Sequence, residues 1–296
     1  MTAEMWVVVL INGIVSGAMW GIVAVGLSLI FGVMRVINFA HGSLFMVGLY
    51  VCYWSYAILG IDPYITVLIV VPVMFGLGYL VQKLFILPLY KRERSFVVAP
   101  MNVVLLTAGL WMILDNGALL GFGPHLRTVT TFLSGSSLEI GDVSMSWPRI
   151  IVLIVALLVT YGLHLFLQRT NLGRAIEATS QNREGAALSG INIYRTYNIT
   201  FGIACAVVGI AAVFILPFHH VSPSVGWAFD IRSFIIVILG GMGSLPGALL
   251  AGFVLGFVLS FGGLFMSSPI AEMLFFLIFI VVLLFRPQGL LGKMTW

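Results

Sequence analysis

Residues 5–34 read MWVVVLINGIVSGAMWGIVAVGLSLIFGVM, a run of apolar and small side chains without a charged residue. An α-helix needs roughly 20 such residues to cross the hydrocarbon core of a bilayer, which is about 30 Å thick. This run is therefore long enough to cross a membrane as a helix. Further uncharged runs of near or above spanning length follow it at 36–61, 63–82, 95–114, 150–168, 196–229 and 233–271.

The composition indicates the same class of protein. Of the 296 residues, 61% are hydrophobic and 8% are charged, and the mean hydropathy is +1.15. A soluble fold with so few polar side chains could not cover its surface. The strands of a membrane β-barrel alternate polar and apolar residues, whereas these runs are continuously apolar. The net charge of +4 is explained by basic loops between spans rather than by binding to nucleic acid.

We predict an all-α polytopic membrane protein that forms a single transmembrane domain over 1–296, with eight or nine transmembrane helices. The predicted spans are 7–34, 42–60, 64–86, 96–120, 149–168, 198–216, 231–242, 247–265 and 270–286. The span at 231–242 is too short to cross as a straight helix, so we expect at least one broken or half-length helix.

That short span runs into the glycine-rich segment GGMGSLPG at 240–247. Irregular backbone at membrane depth is tolerated only where protein or a water-filled cavity surrounds it. Gly240, Gly241, Gly243 and Pro246 are therefore candidates for the wall of a translocation pathway. The segment lacks the Gly-Lys-Ser/Thr ending of a phosphate-binding loop, so we predict no nucleotide site there.

Basic residues mark the predicted cytoplasmic side. They fall into three groups, which are Lys83, Lys91, Arg92 and Arg94; then Arg169, Arg174, Arg183 and Arg195; and finally Arg286 and Lys293. Loops rich in Lys and Arg remain in the cytoplasm. This rule places the N-terminus outside, the loop at about 123–148 outside and the C-terminus in the cytoplasm.

A second polar break lies between the first two spans, where residues 35–42 read RVINFAHG. Arg35, Asn38 and His41 are spaced three apart, so they would stack on one face of a 3₁₀ turn. One interpretation is a connector at the membrane surface anchored by Arg35. The other is a helix break whose polar groups, together with Phe39 and Gly42, line a gate.

Small residues also recur at four-residue spacing, which lets helices approach closely in lipid. They are Gly13, Gly17 and Gly21 in the first span and Ala248, Gly252 and Gly256 near the end. The spacing is compatible with packing inside one bundle and with a dimerisation face.

Asp115, Asp230 and Arg232 are the remaining charges beside apolar runs. We rank them as lower candidates for the pathway and expect them near the outer surface, with Asp230 and Arg232 as a pair, because charged ends reach water cheaply there. The sequence contains no pattern of His, Cys, Asp and Glu typical of a metal site. We predict neither a metal nor a cofactor in this chain.

The segment 172–195 reads LGRAIEATSQNREGAALSGINIYR, and its mixture of polar and apolar residues suits a short amphipathic helix. Its Glu184-Gly185-Ala186-Ala187 and Gly190 resemble the loop by which ABC importer permeases dock on their ATPases. A solvated helix at the membrane surface would have a similar pattern.

Five segments in the same order carry a more specific resemblance. They are GLSLIFGVM at 26–34 running into RVINFAHG, LGRAIEATSQNREGAALSGIN at 172–192, GGMGSLPGALLAGFVLG at 240–256, and RPQGLLG at 286–292. Together they resemble the branched-chain amino-acid ABC transporter permease family, specifically the smaller permease of the high-affinity leucine/isoleucine/valine system. The resemblance spans nearly the whole chain.

This resemblance implies an inner-membrane pore subunit that works with a homologous second permease, two cytoplasmic ATPases that use ATP and Mg, and a periplasmic substrate-binding protein. It places Arg35, Asn38, Phe39, His41 and Gly42 in the family's first signature. It also assigns a set of residues to the ATPase-docking segment, namely Arg174, Asn182, Arg183, Glu184, Gly185, Ala186 and Gly190.

The resemblance leaves the substrate open, since relatives carry urea, short amides and aromatic acids as well as aliphatic amino acids. This chain also has Glu177 where the family usually has a basic residue, and it carries Phe218-His219-His220 and Asp230 beside the outer entrance. The alternative from a different class is a stand-alone channel or secondary carrier, which would use the same broken helices without an ATPase.

Overall fold

The computed structural model describes residues 3–92, 98–140 and 143–292. The helices before the long loop are α1 (Ala3–Met34), α2 (His41–Leu59), α3 (Val67–Val81), α4 (Leu87–Arg92) and α5 (Val98–Phe122), with a π-helical turn at Gln82–Ile86. A hairpin of β1 (Ser137–Ile140) and β2 (Val143–Ser146) precedes α6 (Trp147–Arg169). The remaining helices are α7 (Asn171–Gln181), α8 (Arg183–Leu188), α9 (Ile193–Ile215), α10 (Val225–Gly240), α11 (Leu245–Phe265) and α12 (Ser268–Phe285).

Eight helical segments of the described chain are long and apolar enough to cross a membrane. Helix α10 is not among them, because its 16 residues extend only about 24 Å. The prediction of an all-α polytopic fold with one half-length helix is confirmed. The half-length helix begins earlier than 231–242, because Val225–Phe229 already form its first turn.

The glycine stripes pack α1 against α11 within one chain. A Cβ atom added at Gly17 would lie 2.6 Å from the Cα of Phe253, and one added at Gly252 would lie 2.6 Å from the Cα of Gly21. Real side chains do not approach backbone so closely, so both positions require glycine for the helices to touch. Small residues at this spacing allow the van der Waals contact that holds helices together in lipid. Packing inside the bundle therefore explains the stripes.

A second close pair forms between α3 and α9. A Cβ atom at Gly78 would lie 2.6 Å from the Sγ of Cys205, whose side chain is buried. After Val81 the chain continues through the π-helical turn into α4, so the span extends to Lys91. The span thus continues five residues beyond the predicted end at residue 86, and Lys83, which was predicted to mark the cytoplasmic side, lies within it.

Two long helices have few neighbours in the chain. Only 17% of the most apolar stretch of α5 and 11% of that of α12 are buried inside the protein. Apolar helix faces that the chain does not cover must contact lipid or another membrane subunit.

The predicted external loop 123–148 contains the β-hairpin and ends in α6. Its Arg127 forms a backbone bridge with Val221, next to the end of α9, and its guanidinium lies 4.9 Å from the Trp54 ring centre. These contacts place the ends of α2, α5 and α9 on the same side of the bundle. Of the charges used above, Arg94 and Lys293 lie outside the described residues.

Candidate functional site

The connection between α1 and α2 is an irregular segment. Helix α1 ends at Met34, and Arg35 takes a left-handed backbone conformation with φ 54°. Residues 35–38 form no helix, and a turn at 39–40 leads into α2. The prediction that Arg35, Asn38 and His41 stack on one helical face is therefore wrong. Asn38 instead closes the turn, because its Oδ1 accepts a hydrogen bond of 3.1 Å from the N–H of Ala40.

His41 fixes where α2 begins. Its Nε2 lies 2.9 Å from the carbonyl oxygen of Val23, and the residue is 1% exposed. Val23 precedes the end of α1 by 11 residues, which corresponds to about 16 Å along the helix. The chain thus returns into the bundle after Met34, and α2 begins beside the middle of α1. Of the two interpretations of 35–42, the structure agrees with a helix break inside the protein, with Arg35 exposed at its near end.

An acidic side chain from the half-length helix caps α2. The Oδ1 of Asp230 accepts a hydrogen bond of 2.6 Å from the N–H of Gly42. The backbones of Gly42 and Gly226 are in such close contact that a Cβ atom on Gly42 would overlap the Gly226 carbonyl. A carboxylate at a helix N-terminus is stabilised by the free N–H groups and by the helix dipole. The first turn of α2 and the N-terminal half of α10 therefore form one unit.

The expectation that Asp230 reaches water is wrong, since the residue is 2% exposed; its depth in the membrane stays a prediction. It also does not pair with Arg232. Arg232 forms an ion pair with Glu272 of α12, and its guanidinium lies 4.4 Å from the Trp20 ring centre.

A second carboxylate reaches the next residue of α2. The Oδ1 of Asp115 in α5 accepts a hydrogen bond of 2.6 Å from the hydroxyl of Ser43, and its Oδ2 accepts one of 2.7 Å from the indole N–H of Trp111. Trp111 stacks on Trp227 of α10 at 5.1 Å between ring centres. Phe39 is held close by, because its N–H donates to the hydroxyl of Thr107 at 3.2 Å. We call Gly42, Ser43, Asp115 and Asp230 the α2 node.

An apolar cleft lies between α2 and α5, one helical turn along α2 from the node. It has a volume of about 580 Å³. Met46, Val47 and Tyr50 line it and lie three, four and seven positions after Ser43, so they share that residue's helix face. Leu114 and Ala118 face them from α5.

The glycine-rich segment 240–247 is a packing junction. Gly241 and Gly243 have φ values of 100° and 89°, which side chains rarely adopt. A Cβ atom on Gly243 would lie 2.9 Å from the Cα of Gly32 in α1, and the Gly240 and Gly247 backbones also touch. Pro246 is exposed in the first turn of α11.

This junction also holds the segment that follows α12. The carbonyl of Gly240 accepts a hydrogen bond of 3.0 Å from Leu291, and that of Leu239 accepts one of 2.8 Å from Leu290. These contacts explain the glycines by backbone packing. A role in a pathway wall stays a prediction.

The predicted docking segment contains two helices rather than one. Asn182 separates α7 from α8 and caps α8, since its Oδ1 accepts a hydrogen bond of 2.9 Å from the N–H of Gly185. Arg174 and Glu184 are exposed, whereas Ala186 is buried. Gly190 has φ 83° and ends the segment. The exposed and buried positions agree with an amphipathic element that lies against the bundle.

Arg183 points into the bundle from this segment. Its Nη2 donates a hydrogen bond of 2.6 Å to the carbonyl oxygen of Met34, and its guanidinium lies 5.4 Å from the Tyr197 ring centre. The Tyr90 hydroxyl also donates to the Met34 carbonyl, at 3.5 Å. Arg183 therefore connects α8 directly to the residue that precedes the break at Arg35. Sequence reasoning missed this contact, because it joins positions 149 residues apart.

The described residues contain no group of three or more His, Cys, Asp or Glu able to hold a metal ion. His219 and His220 stack at 4.7 Å between ring centres beside Phe229, in the connection from α9 to α10. Burial lowers the pKa of His219, so its imidazole is neutral at pH 7.

Comparison with known proteins identifies the family. The family model described as the permease component of the branched-chain amino acid transport system matches residues 9–284. The permease protein BraD of the high-affinity branched-chain amino acid transport system of Pseudomonas aeruginosa is 30% identical over 96% of this chain and 95% of its own length. LivH of Escherichia coli K12, from a system of the same description, is 27% identical over 95% and 94% of the two chains.

A more distant relative agrees with these two. The probable branched-chain amino acid transport permease LivH of Methanocaldococcus jannaschii is 27% identical over 92% of this chain and 88% of its own. No solved structure gives a significant match. With its membrane-spanning helices and a family match over almost its full length, this chain belongs to the family of permease components of branched-chain amino acid transport systems.

Proposed function

We propose that this chain is the permease subunit of an ATP-driven importer for amino acids with apolar side chains. The observation that carries the proposal is the link between an exposed surface and a buried helix break. Helices α7 and α8 present exposed side chains such as Glu184 and Leu188, the latter 91% exposed. Arg183, beside Glu184, holds the carbonyl of Met34. The segment is therefore placed to pass a partner's movement to the start of α2.

The expected partners follow from the exposed surfaces of the chain. The exposed face of α7 and α8 would receive an ABC ATPase, and ATP with Mg would be used there rather than in this chain. The uncovered apolar faces of α5 and α12 suit a homologous second permease and lipid. A periplasmic binding protein would deliver the substrate on the opposite side, near the hairpin and the connection between α9 and α10.

The orientation follows from the charges. Lys91 and Arg183 lie at one end of the bundle with the ends of α1 and α4, and Arg286 lies there after α12. Basic ends remain in the cytoplasm, so we place the C-terminus inside and the N-terminus outside the inner membrane.

The mechanism needs only a difference in free energy between access states. When the ATPases close on ATP, α8 moves with them and shifts the Met34 carbonyl through Arg183. The left-handed turn at Arg35 then transmits the shift along 36–40 to the first turn of α2. An ATPase changes which side of the membrane the pathway faces by favouring one of two arrangements of this break. The coupling free energy equals the difference between its binding free energies for the two arrangements.

The test is affinity purification of the tagged subunit from its native membrane, scoring ATP hydrolysis and the chains that co-purify. We expect ATPase subunits and a second permease. Glu184→Arg reverses a charge on the exposed face of α8, so it should reduce ATPase recovery and leave membrane insertion intact. Glu139→Arg, on the exposed hairpin, is the matched control and should recover as much ATPase as the wild type.

Two results would count against the proposal. Full ATPase recovery with Glu184→Arg would remove the docking assignment. A clean oligomer that contains no ATPase and moves solute in liposomes would favour a channel or secondary carrier instead.

A further inference from the structure

The two carboxylates of the α2 node are held only by neutral donors. Asp115 accepts from the Ser43 hydroxyl and the Trp111 indole, and Asp230 accepts from the backbone N–H of Gly42. The Oδ2 of Asp230 is buried and has no hydrogen-bond partner. A buried carboxylate oxygen without a partner carries a large desolvation cost. The Oδ2 of Asp230 can therefore accept a hydrogen bond from a ligand.

The charge of the node is also uncompensated by the rest of the described chain. Within the described residues, the salt bridge is that between Arg232 and Glu272, and it leaves both carboxylates of the node out. The dipole at the start of α2 offsets only part of the cost of ionising buried carboxyl groups. Asp230 and Asp115 bond to the adjacent residues Gly42 and Ser43, so a cationic ligand at this helix end would stabilise the ionised form of both.

The cleft beside the node indicates a second property of the ligand, which is an apolar group. Asp115 is half buried and does not line the cleft itself, but it bonds to Ser43, which precedes the lining residues Met46 and Val47 by one helical turn, a distance that an amino acid can span. The walls are mostly apolar. Their polar atoms include the Tyr50 hydroxyl and the Trp54 indole N–H, both buried without a hydrogen-bond partner. An apolar cleft with a few convergent polar groups is the usual form of a small-molecule site.

We infer that the α2 node binds the ammonium group of a zwitterionic amino acid and that the α2–α5 cleft receives its apolar side chain. This inference rests on the proposed function and narrows its substrate class. An ammonium group supplies three donors, enough to bridge the oxygens of Asp115 and Asp230. Urea and short amides lack the positive charge, and aromatic acids that lack an amino group would be repelled by the carboxylates.

The test is equilibrium binding of radiolabelled leucine to the purified permease–ATPase complex in nanodiscs, without the binding protein. Each of two competitors retains the branched chain and one of the two charged groups of leucine. We expect 3-methylbutylamine, which retains the ammonium group and the branched chain, to compete with leucine. We expect 4-methylpentanoate, which retains the carboxylate and the branched chain, to fail at the same concentration.

Variants locate the site. Asp115→Asn and Asp230→Asn preserve shape and remove charge, so each should weaken leucine binding by about tenfold or more, since removing one partner of a buried charge pair is costly. Glu139→Gln removes an exposed carboxylate of the hairpin and should leave binding unchanged.

The outcomes separate this inference from the proposed function. Competition by 4-methylpentanoate, displacement by Na⁺ but not by the amine, or wild-type binding in both Asn variants would overturn the ammonium site. The same conclusion follows if the assembled complex binds no leucine at concentrations that saturate uptake. Failure of any ATPase to co-purify with the wild-type chain would instead overturn the proposed function. Monodispersity and ATPase recovery of each variant show that it has folded.

Discussion

Replacing Arg183 by alanine should uncouple ATP hydrolysis from transport. The substitution removes the hydrogen bond from the guanidinium to the Met34 carbonyl, which is 2.6 Å long, and the contact with the Tyr197 ring at 5.4 Å. It leaves Glu184 and the exposed face of α8 unchanged. We therefore expect the ATPases to bind normally while their movement no longer reaches the break at Arg35.

The magnitude can be worked from these two contacts. A hydrogen bond to a charged group contributes about 1.5–3 kcal/mol, and a cation over an aromatic ring adds about 0.5–1 kcal/mol at an exposed site. Arg183 is half buried, so the lower ends apply and the sum is about 2 kcal/mol. Since 1.4 kcal/mol is a factor of ten, the preference of the permease for the ATP-bound arrangement should fall about thirtyfold.

The assay is uptake of radiolabelled leucine by proteoliposomes, reported per ATP hydrolysed, with co-purified ATPase measured in the same preparation. Arg149→Ala is the matched control, because Arg149 is an exposed arginine in the first turn of α6, away from α7 and α8. Arg183→Lys keeps one donor and should give an intermediate ratio. An unchanged ratio of uptake to hydrolysis in Arg183→Ala would refute the transmission route.

Three further predictions test the fold and the break. Gly17→Leu should force α1 from α11 and lower stability by about 1–3 kcal/mol, as overpacking does, whereas Gly76→Ala, which meets nothing within 4 Å, should be neutral in a thermal-shift assay. His41→Ala should impair uptake without preventing assembly, and Arg35→Ala should do the same; normal uptake by both would favour a surface anchor. Burial lowers the pKa of His219, so the unfolded protein binds more protons at this residue than the folded protein does. The free energy of unfolding should therefore fall as the pH drops below about 6.5, and His219→Gln should reduce this dependence on pH.

Much of the fold could be predicted because the bilayer imposes it. The uncharged runs gave the spans to within a few residues, since only helices of about that length satisfy their backbone in lipid. The half-length α10 followed from its 12-residue run, and close packing followed from the spacing of Gly17 and Gly252. The third span was predicted to end at residue 86 because the basic cluster from Lys83 onward was taken as cytoplasmic, whereas the helix continues through a π-helical turn to Lys91.

The α2 node could not be predicted in the same way. Ser43 and Asp115 are 72 residues apart, and Gly42 and Asp230 are 188 apart, so no local pattern records that they meet. One signal was present, since an acidic residue inside an apolar run is a functional candidate by default. Assuming that the Asp230 side chain reaches water discarded that signal, because hydropathy gives depth along a span but not which helix lies alongside.

The break before α2 is held together by bonds that can be exchanged. A continuous helix satisfies each N–H with a carbonyl of its own backbone, whereas here side chains of Asn38, Thr107 and Asp230 accept from Ala40, Phe39 and Gly42. Each such bond contributes only about 0.5–1.5 kcal/mol net, or up to about 3 kcal/mol for the charged Asp230, so one acceptor can replace another at small cost. A shift of Met34 can therefore displace Asp230 from the end of α2 without unfolding the helix. That exchange makes the same segment suitable for binding a substrate and for responding to an ATPase on the far side of the bundle.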